Sequence, residues 1–301
     1  MTKTIVIGGP TASGKSGLAL ALAERLDGVI INADSMQVYR GLPLLTAQPD
    51  ASDMTKAPHR LYAALEASET CSAARWRDMA LVEIETALAQ GKTPIIVGGT
   101  GFYLSALLEG LSPIPKIAPR FREEAIALQR QMGNPAFHAH LTMLDPETAA
   151  GLDPLNTQRV ARAYEVLTGT GQGLAQWQKE PRIGPPAHLL FATVALLPPR
   201  DVLYAACDAR FTCMMERGAL AEVEAFRPIC PPGAMLAHAL GYAELCVCLD
   251  GEISQDEAMR LACQDTRNYA KRQMTWFRNQ FEADVVTEMS NPIPILKYYE
   301  I

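Results

Sequence analysis

The first residues suited to chemistry form a glycine-rich segment, Gly9 to Ser16, with the pattern G-x-x-x-x-G-K-S. It follows an apolar run, Thr4 to Ile7, and opens a helix-forming stretch, Gly17 to Leu26, which is the context that a P-loop requires. Backbone N–H groups and a helix N-terminus attract phosphate oxygens, a lysine adds positive charge, and a serine hydroxyl can ligate Mg²⁺. We therefore predict a diphosphate or triphosphate site made by Gly9, Pro10, Thr11, Ala12, Ser13, Gly14, Lys15 and Ser16, with Ser16 as the metal ligand.

Two further segments place polar side chains directly after apolar runs. Asp34 follows the run Gly28 to Ile31, and Thr100 follows Pro94 to Val97 with glycines before and after it. The carboxyl ends of parallel strands form the ligand-binding edge of an open sheet, so both side chains are expected beside the P-loop. A carboxylate there can accept a proton, hold a metal ion or simply cap a turn. A hydroxyl there can donate to a phosphate or lie in a tight turn.

A basic segment near the C-terminus, Thr266 to Arg278, has helical spacing. Arg267, Lys271 and Arg278 are expected on one face, and Tyr269, Gln273 and Trp276 on a neighbouring one. Few acidic residues accompany these cations, which favours contact with a phosphate backbone over an ordinary solvated face. Two arginine pairs, Arg159 with Arg162 and Arg210 with Arg217, are also candidates for phosphate contacts. The sequence does not choose between Arg210 and Arg217.

Composition limits the class of protein. The chain has 301 residues, a formal charge of -6, 49% hydrophobic residues and seven cysteines without a C-x-x-C pair. It contains no apolar run of the length that spans a membrane, roughly 18 residues. We expect a soluble, cytoplasmic, globular monomer with reduced thiols, no membrane association and no zinc site.

The apolar runs also predict the fold. The runs named above and a fourth, Leu189 to Leu197, are continuously hydrophobic, which is typical of strands buried on both faces. The predicted class is α/β, a P-loop NTPase-like parallel sheet with flanking helices, plus a smaller inserted helical domain. Weaker patterns suggest strands at Leu61 to Leu65 and at Val285 and Val286. Proline clusters divide the chain into a core, 1–115 and 187–301, and an inserted lobe, 116–186, with helices at Arg120 to Met132 and Thr157 to Leu167.

Together these motifs resemble one family, the tRNA dimethylallyltransferases, also called isopentenyl-diphosphate:tRNA transferases. The resemblance covers nearly the whole chain and rests on five ordered motifs: GPTASGKS at Gly9 to Ser16, ADSMQVY at Ala33 to Tyr39, VGGTGFYL at Val97 to Leu104, NTQRVARAYEV at Asn156 to Val166, and TRNYAKRQMTWFRN at Thr266 to Asn279.

The resemblance implies a reaction and its partners. A dimethylallyl group would pass from dimethylallyl diphosphate to the exocyclic amine of the adenine 3′-adjacent to the anticodon in tRNA, with Mg²⁺ as cofactor. The P-loop would then hold the prenyl diphosphate, although the motif is that of ATP-binding proteins. The adenine would leave the stack of the anticodon loop and enter a channel between the lobes, as base-modifying enzymes generally require.

Residue roles follow from the same resemblance. Asp34 is the expected general base, Thr100 lies at the junction of amine and diphosphate, and Arg210 is a further diphosphate ligand. The expected tRNA-binding residues are Asp34, Ser35, Met36, Gln37, Thr100, Arg122, Gln158, Arg159, Val160, Ala161, Arg162, Arg267, Lys271, Arg272, Gln273 and Arg278. Several positions depart from the family pattern. The usual Gly-Tyr-Arg motif ends in Ala243, a position that is often basic is occupied by His238, and the His-Leu-Ile-Asp motif is altered to His59-Arg60-Leu61-Tyr62.

Two alternatives remain at the level of sequence. A small-molecule or nucleotide kinase would bind ATP at the P-loop and use Asp34 to activate a hydroxyl, but it leaves the basic segment unexplained. An RNA-binding protein without activity would retain the P-loop as a relic.

Overall fold

The structure, a computed structural model, describes residues 3–292 and 295–296. It divides into a core unit, Met1–Leu108 with Pro186–Ile301, and an inserted unit, Glu109–Pro185. Leu111 and Ile183 form an antiparallel bridge inside the inserted unit, which brings its two ends together. The proline clusters predicted a lobe that begins later, at residue 116, because they mark the segment after this bridge.

A single sheet forms the centre of the core unit. Within the described residues its strands have the order β3-β2-β4-β1-β5-β6, and every pair is parallel. The predicted α/β class with a parallel sheet and flanking helices is confirmed. The strands are β1 (Thr4–Gly8), β2 (Gly28–Asn32), β3 (His59–Arg60), β4 (Thr93–Gly98), β5 (Phe191–Leu196) and β6 (Val285–Thr287).

Helices connect the strands and make up the inserted unit. Helices α5 to α9 belong to the inserted unit and the others to the core unit. The helices are α1 (Lys15–Leu26), α2 (Ala51–Lys56), α3 (Ala73–Ala89), α4 (Gly101–Leu108), α5 (Pro119–Met132), α6 (Asn134–Leu144), α7 (Pro146–Ala150), α8 (Thr157–Thr170), α9 (Leu174–Lys179), α10 (Arg200–Glu216), α11 (Ala219–Phe226), α12 (Tyr242–Leu249) and α13 (Gln255–Gln280).

The four strands expected from continuous apolar runs are confirmed, and so is the strand at Val285 and Val286. The predicted strand at Leu61 to Leu65 is wrong. The strand ends at Arg60, and Leu65 forms only an isolated bridge with Tyr39. Leu61 and Ala63 have φ angles of 61° and 46°, in the left-handed region, so the chain there cannot stay extended.

The register of the sheet brings the chemical segments together. Gly8 at the end of β1 lies opposite Gly98 at the end of β4, and Asn32 at the end of β2 lies opposite Val97. The P-loop, the segment that begins with Asp34 and the turn that contains Thr100 therefore leave the sheet side by side. Leu18 and Leu22 of α1 are fully buried in the same hydrophobic cluster as these strands, so the helix that follows the P-loop is anchored on the sheet.

The inserted unit has its own small core. Phe137, Leu141, Val160 and Ala163 are almost completely buried there, and Tyr164 packs against Phe137. The helices predicted at Arg120 to Met132 and Thr157 to Leu167 are confirmed as α5 and α8. Over the described part of the chain, no helix has the length and hydrophobicity needed to cross a membrane.

Candidate active site at the carboxyl edge of the sheet

The P-loop backbone is shaped by two glycines. Gly9 has a φ of 158°, and a Cβ there would lie 2.4 Å from the carbonyl oxygen of Leu196. Gly14 precedes α1 with a left-handed φ of 91°. No side chain caps the N-terminus of α1, and its first turn has no acidic residue. The N-terminal N–H groups of this helix are thus available to an anion, and the helix dipole favours one.

Two partly exposed cations lie beside this loop, each closely surrounded by protein atoms. The ammonium of Lys15 donates to the Pro10 carbonyl at 2.6 Å, and the guanidinium of Arg210, from α10, donates to the Thr11 hydroxyl at 2.6 Å. Lys15 keeps some solvent exposure, but the surrounding protein desolvates its ammonium and lowers its pKa to about 8. The nearby charge of Arg210 lowers it further, while Asp34 opposes the shift. Desolvation also lowers the pKa of Arg210. An added anion would offset this unfavourable burial of positive charge.

Asp34 is oriented by its own segment. Its Oδ1 accepts hydrogen bonds from the backbone N–H groups of Met36, at 2.9 Å, and Gln37, at 3.4 Å. Its Oδ2 makes no hydrogen bond to the residues that the structure describes. The buried Asn32 side chain accepts from the Asp34 N–H at 2.8 Å and donates to the Asp34 carbonyl at 3.0 Å. One carboxylate oxygen is therefore held by two backbone N–H groups, and the other has no hydrogen-bond partner among the described residues.

Thr100 connects two of these segments. Its hydroxyl accepts from the Ser35 N–H at 3.0 Å and donates to the Ser35 hydroxyl at 3.3 Å, and its own N–H donates to the Ala33 carbonyl at 3.3 Å. Thr100 is partly exposed, so it remains accessible to a ligand. The prediction that Asp34 and Thr100 share one sheet edge with the P-loop agrees with this geometry, while their catalytic roles stay predictions.

The match to known proteins covers most of the chain. The model of the family described as IPP transferase matches residues 37–280. A relative named tRNA dimethylallyltransferase, from Paramagnetospirillum magneticum (strain ATCC 700264 / AMB-1), is 54% identical over 94% of this chain and 90% of its own length. The chain belongs to the IPP transferase family.

Solved structures of similar proteins have the same fold. The full-length tRNA isopentenylpyrophosphate transferase of Bacillus halodurans matches with a TM-score of 0.69 and 33% identity, over 100% of this chain and 95% of that one. A eukaryotic dimethylallyltransferase acting on tRNA matches with a TM-score of 0.80 over 99% of this chain and 76% of that one. At 24% identity, this second likeness concerns the fold alone.

In this member of the IPP transferase family, α13 has two different faces. Lys271, Arg272 and Arg278 are exposed, as a surface that binds a polyanion requires. Arg267 is half-buried and forms an ion pair with Asp208 of α10, which the sequence did not predict. Gln273 lies inside the protein with only 7% of its surface exposed. The predicted tRNA contact of the Gln273 side chain therefore needs revision, because that side chain is enclosed by protein.

The predicted tRNA-binding residues of the inserted unit are mostly on its surface. Arg122 on α5 and Gln158, Arg159 and Arg162 on α8 are exposed, and Arg162 pairs with Glu165 at 2.7 Å. Val160 lies in the core of the unit, with 1% of its surface exposed, and Ala161 is partly buried. Any contact of Val160 with RNA would have to involve its backbone.

Residues suited to Mg²⁺ are few. Among the described residues, no cluster of three or more histidine, cysteine, aspartate or glutamate side chains can hold a metal ion. Mg²⁺ is often bound by only one or two protein groups together with phosphate oxygens and water, and the exposed Ser16 beside the loop provides one such group. The buried Ser13 hydroxyl has no hydrogen-bond partner among the described residues, which leaves it free for a phosphate oxygen. These residues fit a metal that arrives with a diphosphate.

Asn32 was missed by the sequence analysis, and Tyr62 and Ala243 were named there only as departures from the family pattern. Asn32 is buried, accepts from Asp34 and donates to the Leu61 carbonyl at 3.1 Å, and its position at the end of an apolar run was the available signal. Tyr62 lies near Asp34, and burial followed by the charge of Asp34 raises its pKa. Ala243 is exposed in the first turn of α12.

Proposed function

We propose that this protein transfers a dimethylallyl group from dimethylallyl diphosphate to the exocyclic amine of the adenine 3′-adjacent to the anticodon in tRNA, which gives N6-dimethylallyladenosine. The observation that carries this proposal is the pair of desolvated cations, Lys15 and Arg210, beside the P-loop and near the carboxylate of Asp34. Membership of the IPP transferase family supports the class of reaction.

The P-loop binds the leaving group in this proposal. The free N–H groups at the start of α1 and the charges of Lys15 and Arg210 surround the diphosphate, whose negative charge grows as the bond from carbon to oxygen breaks. Donors that are fixed in place before the reaction stabilise such developing charge without reorganisation. When bound, Mg²⁺ would be held by Ser16 and would supply further positive charge to the diphosphate.

Asp34 acts on the other substrate. The amine nitrogen attacks the first carbon of the prenyl group, a C–N bond forms as the C–O bond breaks, and Asp34 Oδ2 accepts the proton that the nitrogen loses. An aromatic amine is a weak nucleophile, so a fixed base within hydrogen-bond reach is needed. Thr100 lies close to the reacting groups in this proposal, because its hydroxyl accepts a hydrogen bond from the N–H of Ser35, the residue after Asp34.

Recognition of tRNA is assigned to exposed cations. We propose that Lys271, Arg272 and Arg278 of α13 contact the phosphate backbone, and that the inserted unit contacts the anticodon stem-loop through Arg122 and the residues Gln158 to Arg162. The segment Asp34 to Gln37 would surround the adenine once it has left the base stack. Since tRNA is the proposed substrate, we propose a cytoplasmic location.

Isotope transfer tests the proposal. Purified protein, Mg²⁺ and unmodified tRNA are incubated in parallel with carbon-labelled dimethylallyl diphosphate or with γ-phosphate-labelled ATP. We expect label in tRNA only with the prenyl donor, and no label when Asp34→Ala replaces the wild type. Phosphoryl transfer from ATP without prenylation would establish a kinase instead, and tRNA binding without either transfer would establish a binding protein.

A further inference from the structure

Gln273 lies on the basic helix α13 but uses its side chain inside the protein. Its Oε1 accepts a hydrogen bond from the Thr11 N–H of the P-loop at 2.8 Å, and its Nε2 donates to the Gly99 carbonyl at 2.7 Å. The side chain is more than nine-tenths buried. One amide thus bridges the two loops that leave the carboxyl ends of β1 and β4.

Close packing fixes this arrangement. A Cβ at Gly99 would lie 2.4 Å from Gln273 Nε2, one at Gly101 would lie 2.4 Å from the Trp276 ring, and one at Gly8 would lie 2.4 Å from the Phe277 ring. Gln273, Trp276 and Phe277 share one face of α13 because they are three or four residues apart. This face therefore rests directly on the backbone of both loops, and the amide has little freedom to choose other partners.

Both partners of Gln273 lead to the proposed active site. Thr11 is held from a second side by Arg210, which donates to its hydroxyl. Gly99 precedes Thr100, whose hydroxyl accepts from the Ser35 N–H beside Asp34. Because the Thr11 N–H donates to Gln273 and the Ser13 N–H donates to the Pro10 carbonyl at 3.3 Å, these two groups are not the ones we expect to bind phosphate.

We propose that Gln273 is a positioning residue for the transfer reaction, which sets the spacing between the P-loop and the turn of Gly99 and Thr100 and makes no contact with tRNA. This inference rests on the proposed function, since it concerns the same site. A displacement of about 1 Å of a substrate-binding group can reduce turnover by roughly a hundredfold, so such a bridge has a large effect on the rate.

The chemistry of the bridge requires one acceptor and one donor. Methionine has nearly the same length but offers no donor and only a weak sulfur acceptor. Glutamate accepts from Thr11 in either form but can donate to the Gly99 carbonyl only when it is protonated. Burial beside that carbonyl favours the protonated form, so Gln273→Glu should regain the wild-type arrangement as the pH falls.

The first test compares Gln273→Met with Gln280→Met, the same change at an exposed glutamine of the same helix. Calorimetry measures the affinity for inorganic pyrophosphate in the presence of Mg²⁺, and filter binding measures the affinity for tRNA. For Gln273→Met we expect pyrophosphate affinity to fall by about 10- to 100-fold, kcat to fall and the KM of the prenyl donor to rise, with tRNA affinity unchanged. For Gln280→Met all four quantities should match the wild type.

The second test uses Gln273→Glu and does not depend on the folding of the methionine variant. The ratio of its pyrophosphate Kd to that of the wild type is measured from about pH 5.5 to about pH 8. We expect a ratio above ten at the upper limit and a ratio near one at the lower limit, because only the protonated side chain restores the bridge. The wild type serves as the reference at each pH, which cancels the protonation of pyrophosphate and of other groups.

The outcomes separate the two proposals. Weaker tRNA binding by Gln273→Met with unchanged pyrophosphate affinity would overturn the positioning role and restore a tRNA contact. A ratio for Gln273→Glu that stays constant with pH would also overturn it. Failure of the wild type itself to bind pyrophosphate or to transfer the prenyl group would contradict the proposed function instead.

Discussion

Lys15 and Arg210 lie beside the P-loop, where protein atoms desolvate their charges, whereas Lys271, Arg272 and Arg278 of α13 are exposed to solvent. Desolvated cations interact strongly with one compact anion at a fixed place, and their charge states respond to pH. Exposed cations interact through a screened field, so their effect depends on salt and is spread over many phosphates. We therefore propose that the first group binds the diphosphate and that the second group contacts the RNA backbone.

The largest effect is expected at Asp34, the carboxylate whose charge acts on both Lys15 and Arg210. Asp34→Asn keeps the shape of the side chain and its acceptor oxygen but removes the base. We expect the rate of prenyl transfer to fall by about 10²- to 10⁴-fold, with pyrophosphate affinity retained. Single-turnover kinetics measure the rate, and Asp78→Asn, an exposed position on α3, is the control. A rate within a few-fold of wild type would remove Asp34 from the chemistry.

The next effect concerns the desolvated cations themselves. Lys15→Met keeps the length of the side chain without its charge, and Arg210→Lys keeps the charge but not the geometry of the hydrogen bond to Thr11. We expect pyrophosphate affinity to fall by about 10- to 100-fold in each variant, while tRNA affinity stays at the wild-type value. Calorimetry measures the pyrophosphate affinity, and filter binding measures the tRNA affinity. Equal losses of pyrophosphate affinity and tRNA affinity would contradict the proposal that the two groups of cations bind different ligands.

A pH titration of the wild type and of Lys15→Met sharpens the same distinction. The pKa of Lys15 in the free protein is about 8, and a bound diphosphate raises it because it stabilises the ammonium. Binding therefore takes up a proton above that pH. The ratio of wild-type affinity to that of Lys15→Met cancels the protonation of pyrophosphate itself. We expect this ratio to be constant below about pH 7, to halve near pH 8 and then to fall by roughly tenfold per unit up to the pKa of the bound ammonium. A ratio that stays flat to about pH 10 would contradict the assignment.

The smallest effect is expected on α13. Lys271→Ala and Arg278→Ala should each weaken tRNA binding by a few-fold at moderate salt and reduce the slope of log K against log salt by about one. Pyrophosphate affinity should not change. The slope is measured by filter binding over a range of salt concentrations, with Gln280→Met as the control. An unchanged slope in both variants would exclude contacts with the phosphate backbone.

The sequence alone predicted the parts of the site that depend on local pattern. The P-loop and the segment beginning at Asp34 directly follow apolar runs, and parallel pairing of those runs brings the segments to one edge. Such a prediction needs only motif, periodicity and the geometry of parallel sheets.

The sequence did not predict the contacts that depend on which side of a helix is buried. Arg267 and Lys271 look alike in the sequence, but only Arg267 has Asp208 of α10 within reach. Gln273 was expected to contact tRNA, yet Gly8 at the end of β1 and Gly99 directly after β4 allow α13 to approach so closely that this residue becomes buried. Contacts of this kind join residues far apart in the chain, and spacing within one helix cannot reveal them.

The central claim is tested most directly by mass analysis of tRNA nucleosides. Unmodified tRNA is treated with the protein, Mg²⁺ and dimethylallyl diphosphate, then digested and compared with untreated tRNA. We predict that one adenosine, the one 3′-adjacent to the anticodon, gains a single five-carbon prenyl unit on its exocyclic amine. Nucleosides identical in mass before and after treatment, with a protein that binds both tRNA and pyrophosphate, would contradict the account.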